Sequence, residues 1–272
     1  MSFRKNDDWV EAVIIDDDSK EEEVFEIVPK KGSVLELVPE LIQKRKRNVQ
    51  QPLIHCFNED INIIEFGIDE AGRGPMLGRV YAGLSILPKD NTFDHSLMKD
   101  SKKFHSKKKI EQVAEYIKEH AIAWAVEYED EQTIDDVNIL QATQSAMHKC
   151  INSVLKQMKD LSIENVLLLV DGNYFKPFSL LNSSKTKLEH IKYQMIEGGD
   201  NKYTSIAAAS ILAKVERDKY IEELCSSNPE LIEHYGIDSN KGYGSKKHMD
   251  GIRQHGITKW HRKTFGICKD YC

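Results

Sequence analysis

The sequence predicts an α/β domain, a sheet covered by helices on both faces, and three observations point to it. Residues 61–69 and 79–87 read as two strands joined by a turn that holds three glycines and a proline. The run Val166-Leu167-Leu168-Leu169-Val170 is apolar on both faces, as a central strand between two helical layers must be. Amphipathic segments alternate with these runs.

In chain order, Ile61 to Asp69 and Arg79 to Leu87 form a hairpin-like start. Residues Ser106 to His120 have helical spacing through Ile110, Val113 and Ile117. Ala121 to Tyr128 reads as a strand. Ile134 to Lys159 then gives a long amphipathic helix through Ile139, Leu140, Thr143, Met147, Ile151 and Leu155. After the buried strand and a loop, Ile191 to Ile196 reads as another strand. Ser205 to Ser226 is a helix rich in small residues, able to lie close against a sheet. The remainder, from about Pro229, reads as helices and basic loops.

The chain has 272 residues, 40% of them hydrophobic, with seven prolines and 15 glycines, so it can bury a core and is neither collagenous nor disordered throughout. Its longest apolar runs, Val166 to Val170 and Ala121 to Val126, fall far below the roughly 18 residues that span a bilayer. Met1 to Asp8 has no signal-peptide core, so a soluble, cytoplasmic chain without membrane contact is expected. Five cysteines (56, 150, 225, 268, 272) show neither a disulfide framework nor a C-x-x-C pair.

Residues 1–60 differ in kind and are read as an acidic extension, small or partly disordered, ahead of a catalytic domain at 61–272. They carry nine Lys/Arg against 14 Asp/Glu, net −5, leaving 29 against 30 for the rest of the chain. Val24 to Pro29 and Val34 to Pro39 look like a duplicated strand unit that a small hairpin would pair. Lys44-Arg45-Lys46-Arg47 reads first as solvated linker charge, with a nuclear-import signal or a nucleic-acid patch as alternatives. Basic surface lies elsewhere: residues 99–109 hold six lysines against one acid, and 241–263 hold seven Lys/Arg against one acid.

The most informative segment is Gly67-Ile68-Asp69-Glu70-Ala71-Gly72-Arg73-Gly74-Pro75-Met76-Leu77-Gly78. A dinucleotide-binding loop has similar glycine spacing, but there a helix follows; here an apolar strand follows, and two carboxylates would repel a pyrophosphate. A metal site is the better physical reading. Because neighbouring strand residues point to opposite faces, Asp69 and Glu70 are expected to share a site only if Glu70 already belongs to the turn. Asp171 follows the buried strand, where open α/β sheets bind ligands, although an Asx turn is an equal reading. Asp200 precedes a helix and, taken alone, reads more readily as a cap. Together the four carboxylates suit a hard cation such as Mg²⁺ or Mn²⁺. Lys102 and Lys103 read as solvated charge or as a phosphate-tracking patch, and Tyr243 between Gly242 and Gly244 as a stacking ring or a buried loop residue.

These motifs resemble the type 2 ribonucleases H, the ribonuclease HII family, from about Ile64 to Phe265. The resemblance rests on Gly67 to Pro75, Asp100-Ser101-Lys102-Lys103, Asn138 to Thr143, Asp171-Gly172-Asn173, Ser205 to Val215 and Gly242-Tyr243-Gly244, in that order. It implies a ribonuclease H-like five-stranded mixed sheet with helices on both faces and a helical C-terminal extension. It further implies a metal-dependent endonuclease in which Asp69, Glu70, Asp171 and Asp200 hold Mg²⁺ or Mn²⁺ for two-metal hydrolysis, leaving 5′-phosphate and 3′-hydroxyl. Gly72, Arg73 and Gly74 would meet the 2′-hydroxyl and phosphates, Tyr243 the deoxyribose at the junction, and Lys102 and Lys103 the duplex backbone. Substrates would be RNA–DNA hybrids and single ribonucleotides in duplex DNA, cut on the 5′ side, in replication and ribonucleotide excision repair. A monomer is expected, and no C-terminal sliding-clamp peptide is visible. A non-catalytic hybrid-binding scaffold is the alternative. Two departures stand out: many bacterial members have proline where this chain has Arg79, and Asn201 to Thr204 has no residue-by-residue match.

Overall fold

The computed structural model describes residues 2–6, 9–15, 22–27, 52–159, 161–181, 186 and 188–272. It divides into two units, at Gln51/Pro52. In the first, β1 (Ser2–Asn6), β2 (Trp9–Ile15) and β3 (Glu22–Ile27) form an antiparallel sheet in the order β1-β2-β3. Of the strand unit expected at Val24 to Pro29, residues 24–27 lie in β3, paired with β2 in the register Val13↔Val24. Its expected partner, residues 34–39, and the basic run 44–47 lie outside the described residues.

The second unit begins at Pro52, earlier than composition alone divides the chain. The reason is local bonding: Ile54 bridges to Tyr203, and the buried Glu65 carboxylate accepts the N–H groups of Phe57 and Asn58 at 3.0 and 2.6 Å.

Five strands make its sheet: β4 (Ile64–Ala71), β5 (Val80–Ile86), β6 (Ala123–Glu129), β7 (Val166–Asp171) and β10 (Lys192–Ile196), in the order β10-β7-β4-β5-β6. Pairings among β10, β7 and β4 are parallel, and those among β4, β5 and β6 antiparallel, so the sheet is mixed. A short hairpin, β8 (Ser179–Leu181) with β9 (Leu188–His190), lies between β7 and β10 in sequence.

Helices cover both faces. One face of β4 and β7, through Phe66, Ile68, Leu168 and Val170, packs on Ala146, Met147, Cys150 and Ile151 of α2 (Glu131–Gln157). The other receives α3 (Thr204–Ser227), which in turn packs on α1 (Lys107–His120) around Ile117, Ala208, Ile211 and Leu212. Two glycines set how closely α3 approaches. A Cβ on Gly67 would stand 2.3 Å from the Ser205 carbonyl carbon, and one on Gly83 2.2 Å from the Ala209 oxygen. The Ser85 hydroxyl, buried in this contact, donates to the Ser205 carbonyl at 2.7 Å.

The helix expected from Ile134 starts at Glu131, where the Asp130 carboxylate accepts the Thr133 N–H, and it breaks inside. Asn138 sits at φ +68° and its Oδ1 accepts from the N–H groups of Leu140 and Gln141, capping the helix afresh. The C-terminal region is helical, with α4 (Glu230–Tyr235), α5 (Ile237–Asn240) and α6 (Lys246–His255). Leu231, Ile237 and Ile252 join Ile221 of α3 and Leu77 of the glycine-rich turn in one apolar cluster. Among the described residues no helix is long and apolar enough to cross a membrane.

Candidate active site

Sheet register places the acidic residues. In the parallel pair β4–β7, Ile68 lies opposite Val170, so Asp69 and Asp171 follow at the carboxyl ends of adjacent strands. Asp171 also pairs in register with Ile196 of β10, and its Oδ1 accepts the Gly199 N–H at 2.6 Å. That bond brings the turn carrying Asp200 to the end of β7. Asp200 does not cap the following helix: it lies in a 3₁₀ turn, Gly199–Asn201, and Tyr203 occupies the cap position of α3.

Glu70 departs from expectation. The strand runs through Glu70, which lies opposite Ala82, and on to Ala71, so Glu70 is not yet in the turn. Alternation puts Asp69 on the α3 face, where the Ser210 hydroxyl bonds it, and Glu70 on the face of Phe66 and Ile68. Both carboxyls still feel the charge of Asp171.

Asp69 and Asp200 are each 5% exposed. Burial raises the Asp69 carboxyl well above the ordinary range, and the charges of Glu70 and Asp171 add to it. Glu70 is raised by burial, with the Arg73 guanidinium pulling the other way at 3.1 Å. Burial raises Asp171 too, opposed by the Gly199 N–H. The Lys102 ammonium stands 4.0 Å from Asp200 Oδ2. A set of oxygen donors whose charges oppose one another in a buried site has the chemistry of a hard divalent cation site. Among the described residues no three His, Cys, Asp or Glu side chains converge into a closed cage. Instead each carboxylate has its own partner: Ser210 for Asp69, Arg73 for Glu70, Gly199 for Asp171, Asn201 and Lys102 for Asp200.

From sequence alone the supporting residues carry no role of their own. Ser210 joins Asp69 to the Ser101 hydroxyl, 3.0 Å away, which seats the Asp100–Lys103 segment beside the carboxylates. Asn201 spans the same gap, its amide donating to Asp200 at 3.0 Å and to Asp100 at 3.3 Å. Lys103 bonds the Asn201 side-chain oxygen at 2.5 Å. Ser and Asn in helices and turns carry no periodic signal, so only their contacts reveal them.

The glycine-rich turn stands next to this cluster. Gly72 has φ +89°, and a Cβ there would lie 2.2 Å from Arg217 Nε, so conformation and packing both demand glycine. A Cβ on Gly74 would touch the Tyr243 ring at 3.4 Å. The Met76 N–H donates to the Gly242 carbonyl at 2.8 Å, holding the two glycine-flanked segments together. Tyr243 is 52% exposed, so its ring is a surface and not a core feature. The Arg79 guanidinium lies 4.1 and 4.4 Å from the ring centroids of Tyr128 and Tyr220, which hold it by cation–π contact. The cluster Asp69, Glu70, Asp171, Asp200 and the group Gly72, Arg73, Gly74, Tyr243 are therefore neighbours, linked by the Arg73–Glu70 pair, with Lys102 and Lys103 on the Asp200 side.

The family model for ribonuclease HII matches residues 66–268. A curated ribonuclease HII of Bacteroides thetaiotaomicron is 41% identical over 218 residues, covering 80% of this chain and 96% of the relative. In fold, the chain is similar to the ribonuclease H2 of Pyrococcus horikoshii, with a TM-score of 0.57 at 24% identity over 77% of this chain and 97% of that one. It is also similar to a Bst ribonuclease HIII solved in complex with Mn²⁺, with a TM-score of 0.56 at 18% identity over 77% and 69%.

Proposed function

The chain belongs to the ribonuclease HII family, and from that premise we propose that this type 2 ribonuclease H cuts the RNA strand of RNA–DNA hybrids and also cuts 5′ of single ribonucleotides embedded in duplex DNA. The observation that carries the reading is the meeting of Asp69, Glu70 and Asp171 at the ends of β4 and β7, beside a turn whose Gly74 faces Tyr243.

Asp69, Glu70, Asp171 and Asp200 are the residues that would hold the divalent ions, Mg²⁺ or Mn²⁺. Bound there, such ions would supply the Lewis acidity for activating a water and stabilising the departing 3′ oxygen, with 5′-phosphate and 3′-hydroxyl as the products. Ser210 and the Glu70 N–H fix the Asp69 carboxylate, and Asn201 fixes Asp200. The Gly72-Arg73-Gly74 turn meets the ribose 2′-hydroxyl, the group that separates RNA from DNA, and the flanking phosphates. Tyr243, exposed beside Gly74, packs on the neighbouring deoxyribose. Lys102 and Lys103 hold the duplex backbone.

The test is incubation of the purified chain with Mg²⁺ or Mn²⁺ and three duplexes: one with a single ribonucleotide, one long RNA–DNA hybrid and one all-DNA control. Metal-dependent cutting 5′ to the ribonucleotide, absent with Asp69→Asn and with the control, is the expected result. Cutting of the long hybrid alone would overturn the junction reading given to Arg73 and Tyr243, and no cutting of either would overturn the catalytic one.

A further inference from the structure

Arg262 is fully buried, yet among the described residues it has no ion-pair partner. A guanidinium carries five N–H donors, and here all go to the carbonyls of one turn. Nε donates to Gly78 O at 2.8 Å, Nη1 to Arg73 O and Pro75 O at 2.9 and 2.8 Å, and Nη2 to Gly72 O and Arg79 O at 2.6 and 3.2 Å. The Arg262 N–H itself donates to Met76 O at 2.8 Å, and the Phe265 ring lies 5.0 Å from its guanidinium carbon. Arg217, 2% exposed, lies behind the same turn: its Nη2 donates to Lys241 O at 2.9 Å, and its Nε and Cδ press on Gly72. Burial lowers Arg262 to about 9, with Arg217 the second cause, so it remains a cation at neutral pH. Burying a charge without a carboxylate is costly. Core packing alone does not require it.

The consequence follows from peptide geometry. Every peptide bond described is trans, so in each unit the carbonyl and the next residue's N–H point opposite ways. Holding Gly72 O and Arg73 O inward turns the N–H groups of Arg73 and Gly74 outward. Both residues are exposed, and among the described residues neither N–H donates to a protein acceptor. Two successive outward N–H groups backed by a cation make an anion- and hydroxyl-binding nest.

We infer that Arg262 is a positioning residue which aims the Arg73 and Gly74 N–H groups at the bound strand and so sets the preference for a single ribonucleotide; this rests on the proposed function above. A duplex with one ribonucleotide offers one 2′-hydroxyl in one register, and a misaimed turn cannot compensate. A long hybrid offers a ribose at every step, so a shifted register still finds one.

The experiment measures kcat and KM on both substrates for wild type, Arg262→Lys and Phe265→Leu, with thermal unfolding of each. Lysine cannot replace five directed donors. The expected result is that Arg262→Lys lowers kcat/KM on the single-ribonucleotide duplex roughly tenfold more than on the long hybrid, the scale of about one lost hydrogen bond. Phe265→Leu shifts the ratio the same way by less. Equal losses on both substrates, or no loss, overturn the inference, because destabilisation alone scales both alike. Should Arg262→Lys fail to fold, an unchanged ratio in Phe265→Leu overturns it. A wild type that cuts neither substrate fails the proposed function itself; a wild type that cuts both, with unchanged ratios in the variants, fails only the positioning claim.

Discussion

His248 Nε2 lies 3.0 Å from His261 Nε2 in the buried core of the C-terminal region. Their outer nitrogens decide who donates. His248 Nδ1 faces the Tyr243 carbonyl at 2.9 Å and must donate to it, so its Nε2 accepts from the Nε2–H of His261. His261 Nδ1 is then free to accept the Thr258 N–H at 2.9 Å. Both rings are neutral, and together they tie the backbone of Tyr243 to the segment that carries Arg262.

This pair makes the fold acid-sensitive. Burial lowers both rings, and His261, with His248 as the second cause, falls to about 3. A lowered histidine contributes stability that is present above its unfolded value, about 6.5, and is lost as pH falls toward the folded one. The histidines' contribution to unfolding free energy should therefore drop between about pH 6.5 and 4, by up to about 1.4 kcal/mol per pH unit for each such ring, against the opposite contribution of the Asp69, Glu70 and Asp171 carboxyls, whose raised values favour the fold as they protonate. Denaturant melts across that range check it: His261→Gln should show the shallower slope, and parallel slopes would refute the assignment.

Asp69→Asn should lower turnover by about 10³-fold or more, as loss of a primary catalytic group does. It should also raise the melting temperature near neutral pH, because it removes a buried charge opposed by Glu70 and Asp171. Kinetics alongside calorimetry tests both. A folded variant with wild-type turnover would remove Asp69 from the chemistry.

Gly67→Ala is expected to cost about 3 kcal/mol or more, since its Cβ would overlap the backbone of Ser205 rather than a movable side chain. Gly172→Ala has open space but φ +99°, and should cost only about 1–2 kcal/mol of backbone strain. Equal costs in chemical unfolding would mean that α3 yields at its N-terminal end.

Tyr243→Ala should leave the melting temperature almost unchanged, because the ring is half exposed. On a single-ribonucleotide duplex it should lower kcat/KM by about 10- to 100-fold, matching roughly 1–3 kcal/mol of stacking. A large loss of stability with activity intact would assign the ring to packing.

Lys102→Gln should reduce the salt dependence of duplex binding by about one charge in the log–log slope. Its side chain is 81% exposed and 4.0 Å from Asp200, so it is free to reach a phosphate beside the carboxylates. Filter binding in the presence of Ca²⁺ at several salt concentrations measures it.

Local pattern and tertiary packing contributed different things. The strand at Val166–Asp171 was legible because a short run apolar on both faces has one stable solution, a sheet interior between helices. The small-residue helix and the hairpin around the glycine turn were legible for the same kind of reason. Element ends shifted by a few residues, because capping by Asp130 or Ser106 settles them and periodicity does not. What no window of sequence contains is register between distant segments. Asp69 meets Asp171 through the Ile68↔Val170 pairing, and Glu70 contributes from the opposite face although it never leaves the strand. Arg262 reads in the sequence as one more basic residue of the 241–263 stretch. Only packing of the C-terminal helices against Leu77 and Ile221 buries it and turns its five donors onto the Gly72–Arg79 carbonyls. Hydrophobic periodicity sets which side of each element faces inward; which inward sides meet is decided by complementarity summed over the whole chain.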